Sequence, residues 1–77
     1  MKKPSPELSY KCLEIRKRSK TGKASTDEEH KLCTKIFRKY KEWYHKSERL
    51  VFIDTLPFGV DYTQYEKERT ELEKELL

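Results

Sequence analysis

Apolar residues recur along most of this chain at spacings of three and four, the period of helices that bury one face. The first such stretch is a narrow stripe of Leu8, Cys12, Ile15 and Ser19, with Tyr10 and Leu13 off its axis. Ahead of it, Ser5-Pro6-Glu7 supplies a hydroxyl for the free N–H groups of a first turn, a ring suited to the first helical position, and a carboxylate at the positive end of the helix dipole. A helix is therefore predicted over about 5–20, ended by Thr21-Gly22-Lys23-Ala24-Ser25, which has a permissive glycine and no apolar period.

Thr26-Asp27-Glu28-Glu29 reads as a capping box, in which Thr26 and Glu29 satisfy each other's backbone donors. At about 100° per residue, Leu32, Cys33, Ile36, Phe37, Tyr40, Trp43 and Tyr44 cover an arc of about 140°. Lys31, Lys35, Arg38, Lys39 and Lys46 lie opposite, with Glu42 among them. Leu50 and Val51 keep the apolar phase, so one long helix is predicted over about 26–51. Leu50-Val51-Phe52-Ile53 also has the β-branched and aromatic make-up of a strand, but the chain holds no second strand to pair with it. Asp54-Thr55-Leu56-Pro57-Phe58-Gly59 reads as a turn with Pro57 second and Gly59 fourth. Asp61-Tyr62-Thr63-Gln64 is another capping box and opens a last helix over about 61–76. There Tyr62, Tyr65, Arg69, Leu72 and Leu76 alternate by three and four, as in a seam that docks one helix on another. The expected fold is all-α, a small three-helix domain around a long amphipathic central helix. The arc of that helix is wider than two thin neighbours cover, so a helical homodimer is expected to supply the remainder.

Length and composition narrow the function classes. A chain of 77 residues, 42% charged and 34% hydrophobic, makes one small domain without a deep substrate cavity. No run of about 18 apolar residues is present to cross a membrane. Met1-Lys2-Lys3-Pro4 is not followed by an apolar stretch, so no secretory signal is expected, and two cysteines suit a reducing compartment better than a disulfide scaffold. The expected location is the cytoplasm, or the nucleus in a eukaryote. Cys12 and Cys33 both fall on apolar faces and are read as core residues that touch without bonding. With His30 and His45 at the surface, no metal site and no cofactor are expected. The chain has no serine in a glycine-flanked elbow and no acids paired in an apolar setting. Gly22-Lys23 lacks the remaining residues of a phosphate loop. A non-enzymatic role is expected.

The charge is unevenly distributed, which changes the meaning of the overall +4. Residues 1–49 carry 15 of the 18 Lys and Arg against 7 of the 14 Asp and Glu, a net +8; residues 50–77 carry 3 against 7, a net −4. Either the acidic end folds back on the basic part, or the basic part is left for a polyanion. Five cations lie within Arg16-Lys17-Arg18-Ser19-Lys20-Thr21-Gly22-Lys23, beside a flexible turn, and the basic side of the second helix extends them. The residues expected to contact phosphates are Arg16, Lys17, Arg18, Lys20, Lys23, Lys35, Arg38 and Lys39. The chain has no Asn and only Gln64, so backbone contact to DNA or RNA is expected rather than base reading. The competing reading is a solvated lysine face that keeps a small domain soluble. Tyr40, Trp43 and Tyr44 share the apolar arc and are read as core rather than as a base-stacking platform.

The apolar segment 52–60 supports a second function. Either it folds under to complete the core, or it docks on a larger protein as an interaction module or stoichiometric inhibitor. In that second case the interface would use Phe52, Leu56 and Phe58, continued by Tyr62, Tyr65, Leu72 and Leu76 of the last helix.

Overall fold

Local capping fixes the first two helix starts. In the computed structural model, which describes all 77 residues, helix α1 spans Pro6–Lys20 with Ser5 as its cap, the Ser5 hydroxyl accepting from the Leu8 amide at 3.4 Å. Helix α2 spans Asp27–Lys39 and opens on the reciprocal box: Glu29 N–H donates to the Thr26 hydroxyl at 3.2 Å, and Thr26 N–H to the Glu29 carboxylate at 3.0 Å. Two further helices follow, α3 over Lys41–Asp54 and α4 over Thr63–Leu76, with no strand. The chain is thus all-helical, with four helices rather than three. None of them is long and apolar enough to cross a membrane.

The expected long central helix is broken at Tyr40, whose backbone sits at φ −125° and ψ 54°. Tyr40 N–H still donates to the Ile36 carbonyl at 2.8 Å, and its own carbonyl accepts from Tyr44 N–H at 2.8 Å. The ladder therefore closes on one side and restarts on the other. No proline or glycine marks the place, and α3 has no side-chain cap. The cause lies in packing. A straight rod carries its apolar arc along one line, whereas the bend lets α2 lie on α1 while α3 touches both α1 and α4. It also carries α3 on through Phe52 and Ile53 to Asp54, with Ile53 fully buried although it lies off the arc of a straight helix.

One core joins all four helices: Cys12 and Leu13 from α1, Ile36 from α2, Trp43, Leu50 and Val51 from α3, and Leu76 from α4. Leu32, Cys33, Tyr40, Tyr44, Leu72 and Leu77 pack around it. Trp43 is fully buried, and its indole N–H donates to the Leu76 carbonyl at 3.1 Å, satisfying an acceptor that the end of α4 would otherwise leave free. Extents of 34 × 29 × 17 Å make the molecule about two helices thick.

Three details differ from expectation. The buried side of α1 is Ser9, Cys12, Leu13 and Ile15, while Leu8 and Ser19 are exposed. Ser9 is admitted to the interior because its hydroxyl donates to the Pro4 carbonyl at 3.3 Å. The turn after α3 comes one residue late: Val60 N–H donates to the Pro57 carbonyl at 3.3 Å, which puts Phe58 and Gly59 in the centre and Gly59 at φ +95°. A positive φ at the third position is what glycine supplies. The capping box at 61–64 does not form. Asp61 instead accepts from Thr63 N–H at 2.9 Å in a two-residue side-chain turn, and α4 begins at Thr63. The apolar arc that suggested a homodimer is divided between α2 and α3 and packs on the chain's own helices, with Ile36 and Trp43 buried and Leu32, Cys33, Tyr40 and Tyr44 against the core. Of the α4 seam, Leu76 is buried and Leu72 packs on the core while Tyr62 and Arg69 stay exposed.

Candidate nucleic-acid interface

Three consecutive residues on a helix point in three directions, about 100° apart, and this dissolves the basic run of α1. Arg16 turns inward. Its guanidinium donates to the Ser47 hydroxyl of α3 and lies 3.9 Å from the centre of the Tyr44 ring. Ser47 is fully buried and passes its own proton to the Tyr44 carbonyl at 2.6 Å. Lys17 pairs with Asp54 at 2.6 Å, and Arg18 pairs with Glu29, the capping residue of α2. Glu29 is held below the usual carboxylate range by the Thr26 amide and by Arg18. These three cations hold helices together. Lys20 and Lys23 remain exposed without an acidic partner, Lys20 lying 5.4 Å from the centre of the Phe52 ring.

The acids of α4 pair with cations of α3 and of α4 itself and with none of α2. Lys46 pairs with Glu75, Arg49 with Glu68 at 2.5 Å, and Asp54 takes Arg69 at 2.6 Å, with Glu73 on the other side of Arg69 at 3.1 Å. No cation of α2 belongs to any ion pair. Lys31, Lys35, Arg38 and Lys39, at spacings that return to one side of the helix, share the open outer face of α2 with His30 and Thr34 and no apolar residue. From Lys31 to Lys39 the face runs about 12 Å along the axis, enough to meet two neighbouring phosphates of a strand. Lys35, Arg38 and Lys39 were expected at such a surface. Lys31 stands on the same face by its spacing of four from Lys35.

The second candidate surface is split. Ile53 is buried and Leu56 half-buried, while Phe58 at the tip of the turn is fully exposed. Phe52 is 37% exposed and meets Tyr65 edge to face at 6.4 Å, with Arg49 over both rings. Tyr62 is exposed and donates its hydroxyl proton to the Leu56 carbonyl at 3.3 Å. Leu72 and Leu76 face the chain's own core. Tyr40, Trp43 and Tyr44 likewise pack in or against the core. No grouping of His, Cys, Asp and Glu has the geometry to hold a metal ion.

Cys12 and Cys33 are free, and their sulfurs lie 3.9 Å apart across α1 and α2. Comparison with known proteins adds nothing to these observations: no family model, no curated protein and no solved structure matches the chain.

Proposed function

We propose that this chain is a non-enzymatic nucleic-acid-binding accessory or regulatory protein that contacts phosphates through the outer face of α2. The observation that carries the reading is the sorting of charge. Acids of α2, α3 and α4 take up Lys17, Arg18, Lys46, Arg49 and Arg69, while Lys31, Lys35, Arg38 and Lys39 are left together without counter-charge. A concentration of unpaired cations attracts a polyanion and releases its counterions. The reading includes Lys20 and Lys23 as flanking contacts and takes the cytoplasm, or a nucleus, as the place of action.

Binding of duplex DNA, single-stranded DNA and RNA measured over a range of salt tests it. The four α2 cations with Lys20 and Lys23 make about six phosphate contacts and give a slope of log affinity against log salt near −4 to −5, whereas all eight cations named from the sequence would give about −7 on duplex DNA. Lys35→Glu with Arg38→Glu is expected to weaken binding at least about tenfold at low salt. No binding at low salt, or binding indifferent to salt, rejects the reading. A second reading rests on Phe58, a bare aromatic ring at a turn tip beside exposed Tyr62. There the chain docks on a larger protein, and Phe58→Ala abolishes that capture without changing thermal stability or phosphate binding.

A further inference from the structure

The two cysteines are arranged unequally. Cys12 is fully buried under α2, whereas Cys33 lines an open cleft of about 320 Å³ with His30, Thr34, Phe37 and Tyr44. The sulfurs are in hydrogen-bond contact at 3.9 Å, Cys12 donating to Cys33, and a disulfide requires an approach of about 2 Å more. We propose that Cys33 and Cys12 form a peroxide-responsive dithiol, with half-buried Cys33 as the nucleophile at the cleft and Cys12 as the thiol behind it that closes an α1–α2 disulfide.

The chemistry balances with hydrogen peroxide as oxidant. The Cys33 thiolate attacks one peroxide oxygen, an S–O bond forms, the O–O bond breaks, and hydroxide leaves and becomes water on protonation. Cys33 is then a sulfenic acid, oxidised by two electrons. The Cys12 sulfur attacks the Cys33 sulfur; the S–S bond forms, the S–O bond breaks, and the departing hydroxide takes the Cys12 proton as a second water. The environment favours this division of roles. Cys33 is lowered to about 7, first by the hydrogen bond from Cys12 and then by the Arg16 charge, against burial and Glu29. Cys12 is pushed up by the same hydrogen bond and by burial. A thiolate at the cleft and a protonated thiol behind it are the two partners the sequence of steps requires.

Treatment of the full chain with one equivalent of hydrogen peroxide at neutral pH, followed by non-reducing digestion and mass spectrometry, tests this. The expected result is loss of two hydrogens, a peptide pair joined through Cys12 and Cys33, and a rise in Tm of at least about 5 °C that a dithiol reductant reverses. In Cys12→Ser, which keeps a donor beside Cys33, dimedone is expected to trap the sulfenic acid on Cys33; Cys12→Ala checks the assignment if the serine disturbs packing. Both thiols remaining free, a bond between two chains instead of within one, or dimedone on Cys12 in the Cys33→Ala chain would overturn the proposal. The wild-type digest decides the matter even where a variant fails to fold.

Discussion

Trp43 shows how much a single side chain holds in a domain of this size. It is the only tryptophan, it is fully buried in the common core, and its indole proton closes the last turn of α4 through the Leu76 carbonyl. Replacing it by phenylalanine keeps a ring but removes part of its volume and leaves that acceptor buried without a donor. Trp43→Phe is therefore expected to destabilise the fold by about 2–3 kcal/mol, read as a lower denaturation midpoint by circular dichroism. A loss under about 0.5 kcal/mol would mean that the α4 end is frayed and the hydrogen bond contributes nothing. The same residue makes folding easy to follow, since burial of the lone indole shifts its emission to shorter wavelength. At this scale polar side chains were the hardest to read from sequence. Ser9, Ser47 and Arg16 look like surface residues, yet each is drawn inward by one specific partner: the Pro4 carbonyl, the Tyr44 carbonyl and the Ser47 hydroxyl.

At the scale of elements, legibility follows whether a boundary is written locally or imposed from elsewhere. The starts of α1 and α2 were legible because Ser5-Pro6-Glu7 and Thr26 with Glu29 close their own hydrogen bonds. The break at Tyr40 was not, because its cause is the need of α3 to reach α4, and no residue at 39–41 records that need. The candidate site divides in the same way. The run at 16–18 is contiguous in sequence but splayed on a helix, whereas the α2 face follows helical spacing and survives folding. The end of α1 belongs to the legible class and gives a sharp test. Lys23 N–H donates to the Arg18 carbonyl at 3.0 Å and Gly22 N–H to the Ser19 carbonyl at 3.2 Å, a closing motif that puts Gly22 at φ +92°. Nothing lies within 4 Å of the place a Cβ would take. Any loss in Gly22→Ala is therefore backbone strain alone, expected at about 1–2 kcal/mol by denaturant titration, with Gly22→Asn losing less. Equal stability of all three chains would show that the turn relaxes to another conformation without cost.

For the whole molecule, the acidic end and the basic body meet at one carboxylate. Asp54 is the last residue of α3, where the helix dipole disfavours a negative charge, and its side chain is only 11% exposed. Burial raises its pKa, but Lys17 of α1 and Arg69 of α4 outweigh that and hold it below its ordinary 3.8. Three of the four helices are thus tied through one group, and the tie depends on its charge. Because the folded value is lowered, the contribution is complete above 3.8 and is lost as pH falls through the folded value. Asp54→Asn keeps the shape and removes the charge, so it is expected to cost about 1–2 kcal/mol near neutral pH, or about 4–16 °C in Tm for a domain of this length. Glu29, Asp61 and Glu68 are also lowered and titrate in acid in both chains, so the Tm difference between wild type and variant is the quantity to follow. That difference should be largest near neutrality and shrink toward zero as acid protonates Asp54 in the wild type. A difference that stays constant with pH would mean that the ion pairs carry none of the tie and that Asp54 acts by packing alone.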